Sequence, residues 1–138
     1  MNEMKHITIP ADVHSISKGI GPIVAWLEDS EVDFKSLNKI EVALDELLTN
    51  IAMYAYAPGT GNIDIDYDFE EPARILTIVI SDEGKEFDPT AKEDPNIALP
   101  PSERQIGGLG LFIVKQIMGE VFYERKDGQN ILTLKRKC

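Results

Sequence analysis

Apolar and polar residues alternate along this chain with two periods. The longest helical period runs through SLNKIEVALDELLTNIAMYAY, Ser36 to Tyr56, where Ile40, Ala43, Leu44, Leu47, Leu48, Ile51 and Ala55 recur at i, i+3, i+4, i+7 spacing, as on a helix with one buried face. An earlier stretch from Asp12 to about Ser30 puts Val13, Ile16, Ile20, Ile23, Val24 and Leu27 on a second apolar face, with Asp12 placed to cap it. Gly19, Gly21 and Pro22 interrupt that stretch and predict a kink or a division into two pieces. A third helical pattern, Leu111, Ile113, Val114, Ile117 and Met118, is closed by Gly119.

The other period is two. Lys5 to Ile9 predicts a short strand. Asn62 to Phe69 sets Ile63, Ile65, Tyr67 and Phe69 against aspartates, as a half-exposed strand does. Arg74 to Ser81 is more apolar and predicts a central strand, joined to the one before by a turn containing Pro72. Val121–Arg125 and Asn130–Lys135 form a hairpin around Asp127-Gly128, suited to a type I′ turn. The order is strand, two helices, two strands, loop, helix, two strands. It predicts an α+β two-layer sandwich, a mixed and mostly antiparallel sheet with helices on one face, forming a single domain over residues 1–138.

Composition narrows the function classes. With 138 residues and a net charge of −10, the chain suits one domain and argues against binding a run of nucleic-acid phosphates. The N-terminus lacks a secretory apolar core and no apolar run reaches membrane-spanning length, so the expected location is the cytoplasm. The one cysteine, Cys138, is the last residue, which excludes an internal disulfide and suggests a free thiol on a frayed end.

Three places carry candidate chemistry. Glu46 and Asn50, one turn apart, lie about 40° from each other on one edge of the buried stripe of their helix. Asp82, with Gly84 after it, sits at the mouth of a buried strand, where an ionised carboxylate can only accept hydrogen bonds and so suits an exocyclic amino group. Gly84 would let a flat base approach the backbone closely. Gly107, Gly108 and Gly110 open a helix after the polar, proline-containing stretch from Asp82 to Arg104. Unpaired N–H groups at a helix start can cradle phosphate, although neither a P-loop lysine nor a Rossmann third glycine is present.

E-x-x-x-N on a helix, D-x-G at a strand end and G-x-G opening a later helix, in that order, resemble the ATP-binding domain shared by gyrase, sensor histidine kinases and anti-sigma serine kinases (the Bergerat fold). The likeness is greatest to the anti-sigma group, on VALDELLTNIAMYAY, the Phe87-Asp88-Pro89 ending and GGLGLFIVKQIMGEVFYERKDGQNILTLKR. It implies that Asn50 holds magnesium, that Glu46 is the general base, and that Asp82 and Gly84 bind adenine. Gly107, Gly108 and Gly110 would then cradle the phosphates of ATP. It matches Arg104 to an arginine near the terminal phosphate and Thr133 to a threonine near adenine. The implied activity is Mg-ATP-dependent phosphorylation of a small antagonist protein on serine or threonine, with a sigma factor as a further partner. The oligomeric state is left open between monomer and homodimer. A nucleotide-sensing module without phosphotransfer is the alternative from another class, and the catalytic piece of a histidine kinase is a third. Against the third, no helical hairpin presents a phospho-acceptor histidine, His6 lying in a strand and His14 at a helix start.

Overall fold

The computed structural model describes residues 4–54, 61–87 and 108–138. Strand β1 (Lys5–Pro10) leads through a 3-10 turn (Val13–Ser15) into helix α1 (Ile16–Asp29), followed by α2 (Phe34–Tyr54), β2 (Asn62–Glu70), β3 (Ile75–Asp82), α3 (Gly108–Met118), β4 (Glu120–Lys126) and β5 (Gln129–Lys137). The sheet order is β1-β2-β3-β5-β4. All four pairings are antiparallel, so the expected mixed sheet is a purely antiparallel one.

Side-chain alternation decides which face each strand buries. Ile63, Ile65, Tyr67 and Phe69 on β2, Leu76, Ile78 and Ile80 on β3, and Leu132 and Leu134 on β5 are buried with the stripes of the helices. Asp64, Asp66 and Asp68 are half-exposed on the opposite face, as their alternation predicts. From α2, Ile40, Ala43, Leu44, Leu47, Leu48 and Ile51 enter the core; α1 adds Ile16, Ile20, Ile23 and Leu27, and α3 adds Val114 and Met118. Burying whole side chains of this size contributes about 1.5–3 kcal/mol each, which makes the α2 stripe the main fastening of the helical layer. Gly19 permits the close approach of α1 to β1: a Cβ there would stand 3.1 Å from Ile9 Cδ1. Trp26 of α1 meets Tyr67 edge-on, with ring centroids 5.0 Å apart.

Local chemistry sets the element ends. Asp12 accepts from the His14 N–H and caps the 3-10 turn rather than α1 itself. The helical period therefore starts later than expected, and Val13 is exposed instead of lying on the apolar face. Pro22 lies inside α1 without dividing it. Asp33 accepts from the Ser36 N–H at the start of α2, and bonds from Ser36 hold its carboxyl below the usual carboxylate range. On α3, Ile113 is 37% exposed, outside the buried stripe. The expected turn at Asp127-Gly128 has both residues at positive φ, 52° and 77°, as type I′ requires. Cys138 is not frayed: its N–H donates to the Arg74 carbonyl, it is partly buried against the core, and burial pushes its thiol pKa up. Among the described residues no helix is long and apolar enough to cross a membrane.

Candidate functional site

Helices α2 and α3 pack against each other. Their far ends are identified by one side chain of β5. Arg136 donates through Nη2 to Ser36 Oγ, at the start of α2, and through Nη1 to the Ile117 carbonyl, at the end of α3. Arg136 is paired with Leu76, at the beginning of β3. The end of α2 and the start of α3 must therefore lie toward the other end of β3, where Asp82 stands. Strand pairing agrees, since Asp82 is opposite Ile63, the second residue of β2, the strand that follows α2.

This end gathers most of the candidate residues. Glu46 and Asn50 lie in the last turns of α2, each half-exposed beside buried Leu47 and Ile51. Asp82 ends β3, only 3% exposed and in phase with Leu76, Ile78 and Ile80, so it points to the helical side of the sheet. Gly108 and Gly110 form the first turn of α3. Arg104 and Gly107, with the rest of the stretch from 88 to 107, lie outside the described residues.

Asp82 is held by its own turn and by β5. Its Oδ1 accepts from the Gly84 N–H at 2.9 Å and from Asn130 Nδ2 at 2.9 Å. No described residue donates to Oδ2. Burial raises the pKa of the carboxyl. The bonds from Asn130 and Gly84 and the charge of Arg125 act the other way without cancelling that effect. The turn after Asp82 is bonded in its turn to the β4–β5 hairpin: Arg125 Nη1 donates to the Gly84 carbonyl at 2.8 Å, and Asn130 Nδ2 donates to the Lys85 carbonyl at 2.8 Å. Such an arrangement presents one fixed acceptor edge beside a side-chain-free residue, at the end of the sheet toward which α2 ends and α3 begins.

Thr133 is not part of it. Leu132 and Leu134 face the helices, so Thr133 between them faces the opposite side of the sheet, opposite Val79 and Phe122. The residue that β5 sets beside Asp82 is Asn130, directly across the strand pair. Asn130, its hydrogen-bond partner Tyr123, and Arg125, which bonds the same turn, were missed from sequence, although alternation carried the signal for Asn130, which is in phase with Leu132 and Leu134, a polar residue at a core position.

These features coincide with a known domain. A family profile described as the histidine kinase-like ATPase domain matches residues 9–136. The chain belongs to that family. Among relatives of this ATPase domain, it is 34% identical over 95 residues to the serine/threonine-protein kinase BtrW of Bordetella bronchiseptica, a match covering 69% of this chain and 66% of that protein. It is 24% identical over 140 residues to the serine-protein kinase RsbW of Listeria innocua, covering 98% of this chain and 88% of the relative. Among solved structures, it superposes on the crystal structure of the RsbU and RsbW domains of a Mycobacterium tuberculosis protein with a TM-score of 0.69 at 17% identity, covering 99% of this chain and 32% of that one. A blue-light-activated histidine kinase of Erythrobacter litoralis gives a TM-score of 0.57 at 21% identity over 77% of this chain and 31% of that one. At these identities the two structures show a shared ATPase-domain fold.

Proposed function

We propose that this chain is a Mg-ATP-dependent serine/threonine protein kinase of the anti-sigma type, acting in the cytoplasm on a small antagonist protein and holding a sigma factor when that antagonist is unavailable. The observation that carries the reading is Asp82: a buried carboxylate with Oδ1 committed to the fold and Oδ2 left without a donor among the described residues, toward the end of α2 and the start of α3. An acceptor so placed suits the amino group of adenine. The kinase names of BtrW and RsbW support phosphotransfer to a protein hydroxyl.

The roles divide by chemistry. Glu46 accepts the proton of the attacking serine or threonine hydroxyl as its oxygen bonds to the terminal phosphorus and ADP leaves. Asn50, a neutral carboxamide one turn from a carboxylate and half-exposed, fits magnesium, which takes one or two protein oxygens and leaves its other positions to phosphate and water. The metal would neutralise charge on the phosphates. The first turn of α3, with Gly108 and Gly110, offers unpaired N–H groups to phosphate oxygens. Gly107 and Arg104 are proposed to extend that cradle.

The test is incubation with labelled ATP and the small antagonist-like proteins of the same organism. Label on a partner serine or threonine is the expected result. Tight ATP binding without transfer to any of them would make the chain a nucleotide-sensing module instead.

A further inference from the structure

Asn130 stands where a core strand ordinarily carries an aliphatic residue. It continues the buried row of Leu132 and Leu134 and is 4% exposed. A carboxamide there needs partners for two donors and an acceptor, and all of them come from the surroundings of Asp82. Nδ2 donates to Asp82 Oδ1 at 2.9 Å and to the Lys85 carbonyl at 2.8 Å. Oδ1 accepts from the Tyr123 hydroxyl at 2.6 Å and from the Phe87 N–H at 3.1 Å. The amide has one workable orientation: turned over, it would set its oxygen against a carboxylate and a carbonyl, and its NH₂ against the Phe87 N–H.

The turn after Asp82 is held from outside itself. Asn130 binds it at Lys85 and Phe87, and Arg125 binds it at Gly84. We infer that Asn130 is a positioning residue for base recognition, fixing Asp82 so that Oδ2 alone is offered as an acceptor and fixing the turn from Glu83 to Phe87 beside it, without itself touching the nucleotide. This rests on the reading of Asp82 as the adenine-binding residue. Its consequence is selectivity. A fixed acceptor accommodates the 6-amino donor of adenine and opposes the 6-oxo acceptor of guanine, whereas a carboxylate free to rotate could turn away from either base.

The experiment is a double-mutant cycle read by calorimetry with ATP and with GTP, on the full chain, with melting temperatures measured in parallel. Asn130→Ala should weaken ATP by about tenfold, the scale of a lost hydrogen bond to a charged group. It should change GTP by less than about twofold, so the preference for ATP falls. In an Asp82→Ala background the same substitution should alter ATP affinity by less than about twofold, because its effect passes through Asp82. Equal losses for ATP and GTP, or an undiminished loss in the Asp82→Ala background, would overturn the proposal and leave Asn130 a purely structural residue. If Asp82→Ala weakens ATP and Asn130→Ala does not, positioning fails while the site stands. If Asp82→Ala leaves ATP binding unchanged, the site reading fails and takes the proposal with it. Should Asn130→Ala not fold, Tyr123→Phe loosens the same amide from a half-buried position. It should lower the ATP preference by a smaller factor, and an unchanged preference would overturn the proposal.

Discussion

The two ends of the β3–β5 pair carry polar groups on the same helix-facing side of the sheet, and they use them differently. At the end where β3 begins, Arg136 spends its guanidinium on the fold, bonding the start of α2 and the end of α3 to the sheet through Nη1 and Nη2. Its Nε is the one buried side-chain nitrogen or oxygen without a partner among the described residues. At the end where β3 stops, Asp82 is more deeply buried, yet its described bonds all fall on one oxygen. A polar group consumed by intramolecular partners is a fastening. One that the fold immobilises while leaving an acceptor over is free to serve recognition, the role proposed for Asp82.

Substitutions can break or sharpen that contrast. The largest expected effect is on chemistry at the Asp82 end: Glu46→Gln should lower phosphotransfer by about 10²–10⁴-fold, the usual contribution of a positioned base. ATP affinity should stay close to the parental value, because proton transfer matters in the transition state and hardly in the ground state. Single-turnover transfer beside equilibrium binding checks this, and a parental transfer rate would remove Glu46 from the mechanism. At the opposite end, Arg136→Met should cost about 2–3 kcal/mol of stability in chemical denaturation through the loss of charge-assisted bonds. Nucleotide affinity should remain within about twofold, since the two ends share no partners. A large loss of ATP binding in that variant would dissolve the distinction between the ends.

Asp82→Asn should do the reverse of Arg136→Met. The amide keeps Oδ1 for Gly84 and Asn130 and replaces only the uncommitted oxygen with a donor, so ATP binding should weaken by about 1.5–3 kcal/mol. Stability should rise. Burial holds the folded pKa of Asp82 above its ordinary 3.8, so the stability this group contributes is present below that ordinary value and lost as pH rises through the raised one. At neutral pH the ionised carboxylate therefore costs stability, and Asp82→Asn should melt above the parent there, with the gap closing as pH falls toward 3.8. Paired melts across pH check the sign; a variant less stable than the parent at pH 7 would mean that Oδ2 serves the fold. The smallest effect belongs to Thr133→Val, on the far face of the sheet, where ATP affinity should hold within about twofold by its separation from the site.

Much of this molecule could be read from hydrophobic period alone. The α2 stripe and both hairpins follow from which residues must leave water, and their bounds move by only a residue or two. Readings that failed did so where a single local bond or a strand's parity mattered. Val13 fits a helical wheel, but the Asp12 cap diverts it into a 3-10 turn. Thr133 has the side chain expected near a base, but parity with Leu132 and Leu134 turns it away. Alternation marks Asn130 as a polar residue at a core position, but not what it binds, because its partner Asp82 is 48 residues distant in sequence and comes opposite it only when β3 meets β5. The convergence of Glu46, Asn50 and Asp82 at one end likewise depends on helix direction, which Arg136 and the strand register reveal and spacing does not.

The strand order has a kinetic corollary. β2–β3 and β4–β5 are hairpins that close over a few residues, whereas the β3–β5 junction encloses everything between the two hairpins. Loop-closure entropy makes that junction, together with the equally long-range β1–β2 pairing, an expected late event in assembly. Asp82 and Asn130 face each other across the β3–β5 junction, so the proposed nucleotide recognition would come into being only as these two strands meet. Any nucleotide bound there adds its binding free energy to the closed junction. Slowed hydrogen exchange on ATP addition should accordingly be concentrated at the amides shared by β3 and β5, and an even slowing across both hairpins would speak against a late seam.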